Sequence, residues 1–259
     1  MRARWRLGLV GSAIFLALLV RPVHADLSLD IQPARYEFAV DAGTSKTIPV
    51  TVRNLGTGPT HVVATLSDLV MNETGQVRFT APGSIKYSAG RWSAVNPREF
   101  DLAPGAFQQV RYSVSVPSGA RGEYTTLILF TTRPPRKPGG FGVAQSVASR
   151  MYVVAGDADP AGTVGRLTTE PNATGRAYSV TFANSGTMHV YVTGYVEVTH
   201  DGTALERLTL PNSTFVGRGS TRVLTALGKT LSAGSYSAVA VLDYGGATRV
   251  AGKTSFVVR

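Results

Sequence analysis

Beyond residue 25 the chain offers three histidines for acid–base or metal chemistry, His61, His189 and His200, and none stands at a spacing that makes a ligand pair from local sequence. His61 and His189 each follow an Asn-containing turn and precede a valine-rich run, so they read as matching turn-exit residues with a structural role. The sequence contains no H-E-x-x-H, G-x-S-x-G or Walker motif and no cysteine, hence no zinc helix, nucleophile elbow or phosphate loop that a motif would reveal. A site assembled from distant strands would leave no such trace. Asp157 and Asp159 are alternate acids without further oxygen donors nearby, too few for a calcium cage. The chain is therefore read as no enzyme, with no catalytic residue, no metal and no cofactor.

The remaining chemistry is cationic. In GFGVAQSVASRMYVVAG, running from Gly140 to Gly156, Arg150 interrupts a segment that otherwise reads as a β-strand, just after the proline-rich turn Arg133 to Pro138. Either it faces solvent, as most strand arginines do, or it waits for an acid. Arg35, in ARYEF, poses the same alternative, with Glu37 and Asp41 as local partners. Two guanidiniums together would suit a terminal carboxylate, which they can bind through charge-assisted, bidentate hydrogen bonds. On the opposite strand parity stand Phe141, Val143, Gln145 and Val147. They read either as ordinary core or as a row of side chains offered to a partner. Strict alternation places them across the strand from Arg150, so both roles require a bulge, a twist or a strand exposed on both sides.

The elements that must position these residues begin after residue 25. Arg2, Arg4 and Arg6 precede the fourteen-residue apolar run Leu7 to Val20, followed by RPVHA, the pattern of a secretory signal peptide cleaved after Ala25. The run is short for a bilayer crossing and no later one is long enough, so no membrane insertion is expected. Removal of the leader takes four arginines and leaves 22 basic residues against 16 acidic ones, a net charge of +6. Those charges are scattered without aromatic interleaving, which argues against nucleic acid and leaves an anionic surface or acidic peptide end as partner. An exported chain without cysteine must hold itself by hydrophobic cores alone.

Nearly every segment alternates apolar and polar residues, as in Ile48–Val52, Val110–Val116, Val190–Val192 and Val196–Val198, the period of half-buried antiparallel strands. Breakers recur at short intervals, among them Asn72-Glu73-Thr74-Gly75, Ala103-Pro104-Gly105 and Asp201-Gly202. The spacing predicts β-sandwiches. The segment 155–162 lacks an apolar pattern and separates two strand-rich halves, 26–155 and 156–259. The halves also rhyme: VTVRNLGTGPTHVVATL in the first is echoed by VTFANSGTMHVYVTGYVEV in the second.

The ordered set IQPARYEF, IPVTVRNLG, RWSAVNPREFDLAPGAFQQVRYSVSVP, GEYTTLILFTTRPP and the Arg150 stretch resembles the periplasmic chaperones of pilus and fimbria assembly, of the PapD type. The likeness extends to SVTFANSGTMHVYVTG and YSAVAVLDYGGATRVAGKTSFVV, and so over nearly the whole chain beyond the leader. It implies an all-β fold of two immunoglobulin-like antiparallel sandwiches in tandem, set at an angle with a cleft between them. It implies a periplasmic chaperone that lends a strand to pilus or fimbrial subunits, anchors the subunit's C-terminal carboxylate, and delivers it to an outer-membrane usher. Arg35 and Arg150 fall at the family's two anchor positions, the second of which is commonly lysine. Phe141, Val143, Gln145 and Val147 fall on the donor strand, and an idle chaperone could cap itself as a homodimer. The alternative from the residues alone is an exported structural or adhesive double-sandwich module that donates no strand.

Overall fold

The computed structural model describes residues 28–133 and 143–259; the expected leader and Phe141 lie outside the described residues. Ten strands arise from the first half: β1 (Leu29–Gln32), β2 (Arg35–Ala39), β3 (Ser45–Asn54), β4 (Thr60–Met71), β5 (Val77–Thr80), β6 (Ser93–Asn96), β7 (Glu99–Leu102), β8 (Phe107–Ser115), β9 (Gly122–Arg133) and β10 (Ser146–Ala155). Eight follow: β11 (Gly162–Asn172), β12 (Gly175–Asn184), β13 (Val190–His200), β14 (Thr203–Thr209), β15 (Thr214–Val216), β16 (Thr221–Gly228), β17 (Gly234–Asp243) and β18 (Val250–Val258). Among the described residues the sole helix is one turn, Gly90–Trp92, and none is long and apolar enough to cross a membrane.

The alternation read from sequence is the burial pattern observed. In β3, Ile48, Val50, Val52 and Asn54 are buried while Lys46, Thr47, Pro49 and Arg53 are turned out. The first sandwich packs a sheet ordered β1-β3-β8-β6 against one ordered β2-β10-β9-β4-β5, with β7 also on β4. Its core is built from residues such as Val50, Tyr112, Ile128, Phe130, Met151 and Val153. The second packs β11-β12-β16 against β14-β13-β17-β18, with β15 on β13. Tyr178, Phe182, Val196, Leu224 and Leu242 lie in its separate core. Each such buried side chain contributes on the order of 1.5–3 kcal/mol, which lets both sandwiches stand without disulfides. The fold is thus two immunoglobulin-like β-sandwiches in tandem with a cleft between them.

Three local readings need correction. His61 and His189 are not equivalent. The repeated feature is an asparagine at the end of a strand: Asn54 donates to the carbonyls of Gly58 and Leu102 and accepts from the Gly56 amide. Asn184 likewise donates to Met188 and Val216 and accepts from Gly186. In that register His61 corresponds to Tyr191, and His189 to Pro59. His61 is a surface residue bonded to Asp101 at 2.9 Å, whereas His189 is buried between the sandwiches. Second, Val190–Val192 and Val196–Val198 belong to the single strand β13, which changes partner from β15 to β14 along its length. Third, one named strand pair is parallel. The chain leaves the β3 sheet after β1, turns at Gln32–Pro33, and enters the other sheet as β2 alongside β10.

Candidate functional site

The β2–β10 pair fixes the positions of the two arginines. Its register sets Arg35 opposite Arg150 and Glu37 opposite Tyr152, so all four side chains leave one face. Met151 and Val153 leave the other and enter the first core. On the far side of β10, Arg150 pairs with Leu127 of β9, and the ladder runs unbroken from Ser146 to Ala155. No bulge intervenes. Arg150 therefore faces the cleft, and Val147, on the opposite parity, packs half-buried against the first core.

Like charges side by side on neighbouring strands repel, and the two arginines are relieved unequally. The Arg35 guanidinium donates to Glu37 at 3.2 Å, to the Tyr191 hydroxyl, and to His189 Nε2 at 2.8 Å, and it lies 4.7 Å above the Tyr152 ring. Burial pulls its pKa down, but Tyr152, Tyr191 and Glu37 outweigh that and hold it above the usual guanidinium value. Arg150 donates to the Tyr152 hydroxyl at 3.1 Å and stands 5.4 Å from the Phe215 ring centroid. Among the described residues it has no carboxylate partner. Tyr152 is buried between the two arginines, and burial, against the opposing hydrogen bond from Arg150, raises its pKa.

His189 joins this group to the second sandwich. Its Nδ1 lies 2.5 Å from Glu123 Oε2, and its backbone amide donates to Glu123 Oε1 at 3.2 Å. A guanidinium can only donate, so Nε2 must accept from Arg35 and the imidazole proton resides on Nδ1, donated to Glu123. The ring stacks on Phe215 at 5.4 Å and lies 4.6 Å from Tyr152. The result is a relay, Glu123 to His189 to Arg35 to Glu37, that crosses the domain boundary twice. Glu37, Glu123 and His189 also bring potential metal-ligand atoms within 4.8 Å of one another. Arg35 bonds two of those three groups, so a guanidinium already supplies the cation there.

Further ties hold the sandwiches in place. Arg218 donates to the carbonyls of Arg121 and Glu123 and stacks 3.9 Å above Tyr87. Arg222 donates to the Glu73 carbonyl and to Met71 Sδ. The Glu123 amide donates to the Thr187 carbonyl at 2.7 Å. At Gly122, with φ of 76°, a Cβ would sit 2.6 Å from that same carbonyl oxygen, so no larger residue fits. Asp159, in the segment between β10 and β11, exchanges backbone and side-chain hydrogen bonds with Thr187.

Val143 to Val147, part of the stretch read from the sequence as a donor, lie on an edge that is open among the described residues. β2 covers β10 from Arg150 onward; before that, among the described residues, β10 is paired with β9 alone. Val143 is 70% exposed. Gln145 exchanges hydrogen bonds with Thr132, and Val147 lies opposite Phe130. Sequence reasoning picked out Arg35 and Arg150 but missed Glu123, Tyr191, Phe215, Arg218 and Arg222, which reach the cleft only through tertiary packing. Tyr152, two residues after Arg150 on the same strand face, was within reach of the strand period.

No family model matches the sequence, and no curated protein does. Among solved structures, the chain is similar to the complex described as "Chaperone-tip adhesin complex is vital for synergistic activation of CFA/I fimbriae biogenesis", at 12% identity over 89% of this chain and 98% of the other, with a TM-score of 0.50. The class 5 fimbriae chaperone CfaA matches at 13% identity over 90% and 99% of the two chains, TM-score 0.49. A complex of CsuC with the tip subunit CsuE, from archaic chaperone-usher Csu pili of Acinetobacter baumannii, matches at 12% over 87% and 97%, TM-score 0.48. At such identities the likeness speaks to the fold alone, a tandem double sandwich.

Proposed function

We propose that the protein is an exported chaperone of pilus or fimbrial subunits, made as residues 1–25 of leader followed by sandwich domains at 26–155 and 156–259. It works in the periplasm, has no enzymatic activity, and hands its cargo to an outer-membrane usher. The observation that carries this reading is that the edge of β10, open among the described residues, ends where β2 begins, at Arg35 and Arg150. An unpaired edge offers main-chain donors and acceptors to an extended segment. A segment that fills it and places its carboxylate at the two arginines must lie in line with β2, and so run parallel to β10. Arg150, with no acid of its own among the described residues, is the principal anchor, and Arg35 is the assisting cation. Phe141, Val143 and Gln145 then present side chains to the cargo, while Val147, half-buried against the first core, backs that edge. When idle, the same edge can be covered by a second copy of the chain.

The alternative, a structural or adhesive module, is favoured by one observation: Arg35 is already engaged by Glu37, His189 and Tyr191 as a tie between the domains. Co-expression in the periplasm with a one-sandwich subunit separates the two readings. The chaperone reading predicts that the subunit accumulates with wild type and is degraded with Arg150→Ala, with a smaller loss for Arg35→Ala. Equal accumulation with all three proteins would overturn the carboxylate anchor.

A further inference from the structure

Between the sandwiches lies a cavity of about 250 Å³, small beside the roughly 300–1,000 Å³ of pockets that take drug-sized ligands. Its walls are largely apolar, supplied by Leu69, Met71, Ile85, Leu127 and Phe215, and Arg150 and Tyr152 stand on one side of it. Its other arginines, Arg218 and Arg222, donate to main-chain carbonyls and a thioether. Arg218 Nε is buried with no hydrogen-bond partner among the described residues. Among the described residues the single acid on the walls is Glu123, whose carboxylate is committed to His189. The cavity therefore combines an apolar interior with a positive field and, among the described residues, no free counter-charge. Low-dielectric walls focus such a field on an incoming anion.

This complements one carboxylate attached to one large apolar group, the chemistry of a C-terminal residue with an aromatic or long aliphatic side chain. We infer that the cavity is the side-chain pocket for the last residue of the bound chain, whose carboxylate rests on Arg150; this rests on the chaperone reading above. The pocket adds a choice among chain ends to an anchor that would otherwise accept any carboxylate. Main-chain pairing along β10 holds the preceding residues irrespective of their sequence, so the terminal residue is where discrimination is concentrated. A free aromatic acid shares the chemistry but lacks the strand, and is the distinguishing control.

The test is binding of short labelled peptides of alternating serine and valine that end in Phe, Leu or Ala, each with a free carboxylate, and of the Phe-ending amide. Wild-type protein is expected to bind the Phe and Leu endings about 10- to 100-fold more tightly than the Ala ending. Ile85→Trp, which fills the cavity from a loop, is expected to erase that difference and leave the Ala-ending peptide unchanged. Equal affinity for the three endings, uniform weakening by Ile85→Trp, or phenylpropionate binding as tightly as the Phe-ending peptide would each overturn the pocket. The wild-type series decides by itself if the variant does not fold. An amide that binds as well as the free acid would instead overturn the carboxylate anchor, so the two failures are distinguishable.

Discussion

Arg35 and Arg150 carry the same charge and face the same cleft, yet their surroundings give them different work. Arg35 is spent on Glu37, Tyr191 and His189, while among the described residues the Arg150 guanidinium donates to a phenol hydroxyl alone. The sequence could nominate both, because an arginine within an apolar strand is conspicuous. It could not rank them, because the ranking depends on Glu123 and His189, which lie 66 residues apart and meet only in the fold. Removing the acceptor for His189 leaves two buried donors unpaired, a larger loss than the bond itself. Glu123→Ala is therefore expected to lower stability by about 3 kcal/mol in urea unfolding, and Glu123→Gln, which retains a carbonyl acceptor, by about 1 kcal/mol. Equal losses would mean that the relay contributes through packing alone.

At the scale of elements, strand positions were legible because half-buried strands write their period into the sequence, as β3 and β12 do. The parallel entry of β2 was not, since pairing direction leaves no mark on alternation. Asn54 and Asn184 show what the rhyme between the halves meant: each fastens the end of one strand to the start of the next and to a third segment. Asn54→Ala and Asn184→Ala are each expected to cost about 2 kcal/mol, measured by denaturant unfolding. His61→Ala, at the surface, is expected to cost less than about 0.5 kcal/mol. In the second core, burial, helped by nearby Glu206, pushes the Tyr178 hydroxyl up to about 12. Unfolded tyrosine titrates near 10, so between about pH 10 and about pH 12 the folded chain holds a proton the unfolded chain has lost. Stability contributed by this group is whole below about pH 10 and falls as pH rises toward about 12. Tyr152, also raised, adds to the fall. The Tyr178 hydroxyl has no hydrogen-bond partner among the described residues. Tyr178→Phe is thus expected to flatten the alkaline loss while changing stability at neutral pH by less than about 1 kcal/mol; a steep unchanged loss would assign it to other groups.

At the scale of the whole molecule, two separate cores are tied together by hydrogen bonds as well as by aromatic contacts such as Tyr152 with Phe215. Arg218, Arg222, Glu123 and Thr187 supply the hydrogen bonds. This fixes where Arg150 stands relative to Phe215, and so the mouth of the cleft. The double sandwich was readable from turn spacing and alternation, whereas the angle and the cavity depend on pairs of residues drawn from both halves. The central claim is that an extended partner segment adds to the open edge of β10 and ends at Arg150. Amide hydrogen exchange, followed in the complex with a bound subunit, tests it most directly. New protection is expected over residues 143–150, with the β18 edge of the second sandwich unchanged. Protection confined to β18, or none over 143–150 in a complex that is demonstrably formed, would contradict it.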